Sequence, residues 1–126
     1  MRAAWVYAWL TAVICSFHLA MAAGAPWGHL TMGGQWAGVL PNAMRVVAGF
    51  NAVLLAGLAA IVLARAGILR FWVPGWAAWF VVGFLVLSVG VHIITPSAAE
   101  RNLWLPIILV MLVCAVVVAR SPLAGA

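Results

Sequence analysis

The chain has 126 residues, of which 69% are hydrophobic and 6% are charged, and its net charge is +5. An ordinary soluble domain carries about 25% charged residues. Six arginines and one acidic residue, Glu100, are too few to cover a soluble domain of this length. The composition therefore excludes a soluble enzyme, a disordered chain and a disulfide scaffold, and it predicts an integral membrane protein.

Four apolar stretches are long enough to cross a membrane as helices, because about 20 residues span the hydrocarbon. They cover about residues 3–23, 43–64, 75–94 and 103–119. Their length and their lack of alternation favour helices over strands. The first stretch exceeds the apolar region of about 7–15 residues in a signal peptide, so we expect it to be retained. The sequence predicts one all-α domain, a bundle of four transmembrane helices.

The connections between these helices differ in length and composition. Residues 24–42 form a long glycine-rich loop, whereas residues 65–74 and 95–102 are short. The first two helices carry a small residue at every fourth position, starting at Ala4 and at Ala48. Because small residues let membrane helices approach closely, we expect these two helices to pack along those positions.

The arginines predict how the bundle is oriented. With four spans, four arginines lie on one side of the membrane and two on the other: Arg2, Arg65, Arg70 and Arg120 against Arg45 and Arg101. Positive residues concentrate in cytoplasmic loops, so both termini are expected in the cytoplasm and the protein in the cell membrane. The arginines are single and form no basic patch, so a nucleic-acid partner is not expected.

Polar residues cluster in the outer half of the predicted bundle, where burial in lipid makes each of them costly. His18 and Asn51 lie about 9 Å below the outer edge and His92 about 5 Å below it, at 1.5 Å of rise per residue. We predict a ligand-binding site roofed by residues 24–42, with residues 95–104 beside it. Eight residues are its candidates: His18, Trp27, His29, Arg45, Asn51, His92, Glu100 and Trp104.

Several of these residues also have a structural interpretation. The histidines are often satisfied inside a core, Asn51 would bond a neighbouring helix, and Arg45 would contact a lipid phosphate. The leading prediction includes no catalytic residue, no cofactor and no metal. As alternatives, His18 and His92 could ligate a haem or a metal, and His29 with Glu100 could hold a metal at the surface. The two consecutive glycines, Gly33 and Gly34, are a weak signal for a loop that binds an anion through its backbone N–H groups.

Several short motifs resemble an uncharacterised family of small bacterial four-span membrane proteins. The similarity lies in H-x5-GAPWG from His18, MGG from Met32, LP-x3-R up to Arg45, and ITPS-x2-E-x3-W-x-P from Ile94 to Pro106. The resemblance covers nearly the whole chain and implies no activity. The chain departs from the family at His29, where glutamate is frequent, and at His92, where asparagine is frequent. Since an obligate axial ligand should not vary, these departures favour a hydrogen-bonding pocket over a haem.

The sequence thus predicts a small membrane protein that contacts lipids and binds a hydrophobic or lipid-like molecule in its outer half. The alternative is a structural or accessory subunit, or a homo-oligomer, whose outer loops dock a protein partner through side chains such as Trp36 and Trp104. An enzyme is less expected, because the chain has no aspartate for a serine hydrolase. A transporter is also less expected, because it would need polar residues in the inner half, where the sequence has almost none.

Overall fold

The computed structural model describes residues 1–122 of the chain. Within that range it contains four long helices and no strand: α1 Arg2–Ala23, α2 Asn42–Arg65, α3 Gly75–Ile94 and α4 Ala98–Arg120. Two short 3₁₀ turns, Gly28–Leu30 and Met32–Gly34, interrupt the long loop. All four helices are long and apolar enough to cross a membrane. The predicted all-α, four-helix membrane architecture is confirmed.

The start of α4 differs from the predicted one by five residues, because the helix begins at Ala98 rather than near Leu103. Ser97 caps it, since the Ser97 hydroxyl accepts a hydrogen bond from the backbone N–H of Glu100 at 3.1 Å. Serine followed three residues later by glutamate is a helix-start signature. Hydropathy missed this turn because its side chains are polar.

The helices are unequally packed against one another. α1 lies against α2 and α4, and α3 lies against α4, whereas α2 has less contact with α3 and still less with α4. Between α1 and α2, the Cys15 thiol donates to the carbonyl of Ala52 at 3.3 Å. Small residues therefore do lie at the α1–α2 interface.

The stripe of small residues does not follow that interface along its whole length. Ala12 and Ser16 on α1 and Ala56 on α2 are exposed. Four residues advance a helix by about 40° more than one full turn, so a strict fourfold repeat winds away from a straight partner. α1 instead turns Tyr7, Thr11 and Ile14 inward.

Two apolar clusters divide the bundle along its length. We call the end that carries residues 24–42 the loop end, and the other the opposite end. A continuous core fills the opposite half, with Tyr7, Val62, Val81 and Val118 almost fully buried. A smaller cluster around Met21, Leu40 and Ala48 holds the long loop against α1 and α2. The loop therefore lies over the bundle instead of extending away from it.

Candidate functional site

A cavity of about 290 Å³ lies among the four helices towards the loop end. Its walls are mainly apolar, from Ile14 and Phe17 on α1 to Met111 on α4. Leu30, Thr31 and Met32 of the long loop also line it. This volume is at the small end of the range of about 300–1,000 Å³ for ligand pockets.

Five of the eight predicted site residues line this cavity, and each of the four helices contributes at least one of them: His18, Asn51, His92, Glu100 and Trp104. They are up to 86 positions apart in sequence, and the bundle brings them around one cavity. The clustering of polar side chains near the loop end therefore corresponds to a physical cavity.

Three predicted residues, Trp27, His29 and Arg45, lie outside the cavity lining. Trp27 stacks on Phe17, with ring centroids 6.3 Å apart. His29 is exposed, and its backbone carbonyl rather than its ring is engaged. Arg45 turns to α1, where its Nε donates to the carbonyl of Ala22 at 2.9 Å.

Arg45 is directed there because the last carbonyls of a helix have no partner within the helix. They also carry the negative end of the helix dipole, which attracts a guanidinium. The guanidinium of Arg45 therefore lies at the end of α1 and outside the cavity lining.

Glu100 is the acid of the site, and it is only 7% exposed. Its Oε2 accepts hydrogen bonds from the backbone N–H of Gly33 at 2.9 Å and from the Thr95 hydroxyl at 3.2 Å. Gly33 has a φ of +69°, a conformation that L side chains rarely adopt. Of the two glycines, only Gly33 donates to the Glu100 carboxyl group, because the backbone N–H of Gly34 donates to the carbonyl of Thr31.

Hydrogen bonds from α4 and its cap fix the loop above the cavity. The indole N–H of Trp104 donates to the carbonyl of Leu30 at 2.8 Å, and the Ser97 hydroxyl donates to the carbonyl of His29 at 2.9 Å. Together with the Glu100–Gly33 bond, they hold residues 29–33 in place. The two loop motifs of the sequence therefore form a single structure.

Gly28 lies where the two arms of the long loop approach each other most closely. A Cβ atom at Gly28 would lie 1.7 Å from the carbonyl oxygen of Trp36. The backbone N–H of Gly28 also donates to the carbonyl of Gly38 at 2.8 Å. The two arms of the loop approach so closely here that only glycine fits.

The two histidines of the cavity leave hydrogen-bonding capacity unused. His92 Nδ1 lies 2.7 Å from the carbonyl oxygen of Ser88, and His92 Nε2 lies 3.8 Å from Glu100 Oε1. A distance of 3.8 Å is longer than a hydrogen bond. Within residues 1–122, His18 Nδ1 is buried and has no hydrogen-bond partner. Buried polar atoms without a partner are rare and point to a missing ligand or water.

Sequence reasoning missed several residues that shape the site. Phe17 contacts both Trp27 and Trp104, yet an apolar residue in an apolar span gives no signal. Ser97 and Thr95 position Glu100. The helix-start signature identifies Ser97, whereas the Thr95 contact depends on how the chain leaves α3.

Across the described part of the chain, no group of three or more His, Cys, Asp or Glu side chains is placed to hold a metal ion. His29 and Glu100, the pair considered for a surface metal, differ in exposure: the first is exposed and the second buried. No family model matches the chain, and neither a curated protein nor a solved structure is similar to it.

Proposed function

We propose that this protein binds a small hydrophobic or lipid-like molecule in the cavity near the loop end. The observation that carries the proposal is an apolar cavity into which a few polar side chains converge: His18, Asn51, Ser88, His92 and Glu100. Apolar walls with few convergent polar groups are typical of small-molecule sites. The buried, unpartnered Nδ1 of His18 supports the same proposal.

The closed opposite half favours binding over passage across the membrane. Tyr7, Val62, Val81 and Val118 are at most 1% exposed there. They belong to the continuous apolar core that a transport path would have to cross. The cavity is therefore proposed as a binding site.

The alternative function, a subunit that docks a protein partner, has less support from the loop. Trp104 is only 7% exposed, and its indole N–H is bonded to the loop. Trp36 packs against the cluster around Met21 and Leu40. Both tryptophans expected to dock a partner therefore contribute to the chain's own fold.

We also propose that the protein lies in the cell membrane with both termini in the cytoplasm. Arg45 and Arg101, the two arginines of the loop end, are bonded to backbone carbonyls. At the opposite end Arg2, Arg70 and Arg120 are exposed. Exposed positive charge is thus concentrated at the end that carries the termini, as cytoplasmic ends require.

A cavity-filling substitution tests the proposed binding. Ser88 lines the cavity, and Ser88→Leu adds volume to a space of about 290 Å³. We expect native mass spectrometry of wild-type protein, extracted gently from its membrane, to show a stoichiometric added mass. The Ser88→Leu variant should lose that mass because the ligand no longer fits.

Ser16→Leu is the matched control, since Ser16 is exposed on α1 and bonds only the carbonyl of Ala12 in its own helix. It should keep the added mass. Wild-type protein without any added mass would overturn the proposal. An added mass that survives Ser88→Leu would place the ligand elsewhere on the protein.

A further inference from the structure

His92 Nε2 and Glu100 Oε1 face each other across 3.8 Å in the cavity wall. Because a carbonyl oxygen only accepts, the hydrogen between His92 Nδ1 and the Ser88 carbonyl belongs to Nδ1. When the imidazole is neutral, Nε2 is an acceptor opposite an accepting carboxylate oxygen, whereas a protonated imidazole would pair with Glu100 as an ion. With the neutral ring, a ligand donor placed beside these two atoms would satisfy both of them.

The charge of the wall argues against an anionic head group. Glu100 contributes a carboxylate, and no arginine lines the cavity. The nearest candidates, Arg45 and Arg101, donate to the carbonyls of Ala22 and Thr95. A phosphate or carboxylate is bound through positive or multiple donor groups. Here it would meet a carboxylate, so a neutral head group fits better.

The cavity wall formed by α2 and α3 is more exposed than the wall formed by α4, and Phe17 and His18 on α1 are also half-buried. On α4 the lining residues Glu100, Trp104, Ile108 and Met111 are all buried. On α2 and α3 the lining residues are half-buried with the exception of Leu85: Asn51, Leu54, Leu55, Phe84, Ser88 and His92. α2 and α3 also have much less contact with each other than α1 has with α2 or than α3 has with α4.

The wall formed by α2 and α3 lies at the depth of the hydrocarbon. Asn51 is about 14 Å along α2 from its first residue, and Ser88 is about 9 Å from the end of α3, at 1.5 Å of rise per residue. A molecule that enters there comes from the lipid and not from water. An amphiphile with a polar head and an apolar chain matches both the wall and the entrance.

Building on the proposed cavity binding, we infer that the ligand is a neutral amphiphile bearing a hydroxyl group. It enters from the lipid between α2 and α3. Its hydroxyl donates a hydrogen bond at the acceptor pair formed by His92 Nε2 and Glu100 Oε1. Its apolar part lies against Phe84 and Leu55.

Photolabelling in membranes with matched probes tests this inference. The probes are an alkyl alcohol with a diazirine in its chain and the methyl ether, amine and phosphate monoester of the same chain. Peptide mass spectrometry then locates the label. We expect cavity residues to be labelled about tenfold more by the alcohol than by the ether, which has lost the donor. The phosphate ester should label them least.

His92→Phe removes the Nε2 acceptor and keeps a planar ring. It should abolish the preference for the alcohol while the ether still labels the cavity, which shows that the variant remains folded. His29→Phe is the matched control, because His29 is exposed and lies outside the cavity. It should retain the wild-type preference.

The outcomes separate the two proposals. Equal cavity labelling by alcohol and ether would overturn the inferred hydroxyl while cavity binding stands. Stronger labelling by the amine or the phosphate ester would also overturn it, in favour of a charged head group. Labelling confined to the lipid-facing surface with every probe would overturn the proposed binding itself.

Discussion

Three of the six arginines hold the carboxyl end of a neighbouring helix. Arg45 donates to a carbonyl at the end of α1, Arg101 to one at the end of α3, and Arg65 to carbonyls at the end of α4. Terminal carbonyls that stay unpaired in an apolar environment are costly. These arginines therefore stabilise the helix ends and the helix pairs at once.

Arg65 gives the clearest prediction at this scale, because it is only 8% exposed. Its NH2 group donates to Ala119 at 3.2 Å and to Ser121 at 2.7 Å. We expect Arg65→Met to lower the free energy of unfolding by about 1–3 kcal/mol, since it leaves buried carbonyls without a donor. Denaturant unfolding in detergent micelles measures this difference.

Arg70→Met is the control, because Arg70 is exposed and near the same end of the bundle. Its unfolding free energy should stay within about 0.5 kcal/mol of wild type. Equal effects of the two substitutions would show that positive charge at this end matters and that the carbonyl contacts do not.

The sequence identified the arginines but not their partners. Arg45 is 23 residues from Ala22, and Arg65 is 54 residues from Ala119. Local patterns reveal contacts over about one helical turn. Longer contacts depend on which helices become neighbours and on how far each one is shifted along its axis.

At the scale of elements, the start of α4 links helix formation to the loop. Ser97 accepts from the backbone N–H of Glu100 and donates to the carbonyl of His29. Glu100, at the third position of the same turn, bonds Gly33 in place of the Ser97 backbone. In a full capping box, the glutamate side chain would bond the backbone N–H of the capping serine. Here the Glu100 side chain bonds the loop instead.

Removal of the Ser97 hydroxyl should be destabilising through both of its hydrogen bonds. We expect Ser97→Ala to lower the free energy of unfolding by about 1–2 kcal/mol, the usual cost of a lost helix cap. Hydrogen exchange of residues 28–34 should also accelerate, because the loop loses one of its attachments to α4. Unfolding and exchange measurements in micelles check the two effects.

Ser121→Ala provides the comparison, since Ser121 follows the end of the same helix and its hydroxyl bonds Val117 of its own helix. It should leave exchange in residues 28–34 unchanged. Unaltered exchange in Ser97→Ala would mean that Trp104 and Glu100 alone hold the loop.

The sequence predicts that all four helices exist, but hydropathy does not predict where α4 begins. The long apolar stretches give α1, α2 and α3 with ends shifted by at most one residue, within the usual uncertainty of helix ends. For α4, Glu100, Arg101 and Asn102 are polar, so hydropathy places the start of the helix after them, whereas the helix begins at Ala98 and buries Glu100 against the loop.

At the scale of the whole molecule, the two ends of the bundle differ in packing and in exposed charge. The opposite half is a closed apolar core, whereas the loop half encloses the cavity. Exposed arginines lie at the opposite end, and the arginines of the loop end are bonded to carbonyls. This asymmetry gives the proposed orientation a structural basis in addition to a count of charges.

A topology measurement tests the orientation. We expect a fluorescent reporter fused after the last residue to be active and an exported phosphatase reporter at the same place to be inactive. Fusions within residues 66–74 should behave alike, and fusions within residues 35–39 should show the reverse pattern. Phosphatase activity at the C-terminus would contradict the proposed orientation.

Composition and local pattern by themselves determined the class of protein, the four spans and the end of the bundle where polar residues collect. These properties follow from hydropathy and from rise per residue, which need no knowledge of neighbours. Only the tertiary structure decided that His18, Asn51, His92, Glu100 and Trp104 share a cavity while Trp27, His29 and Arg45 do not. The physical reason is that the rotation and pairing of the helices set where a side chain points, and both are fixed by packing across the bundle.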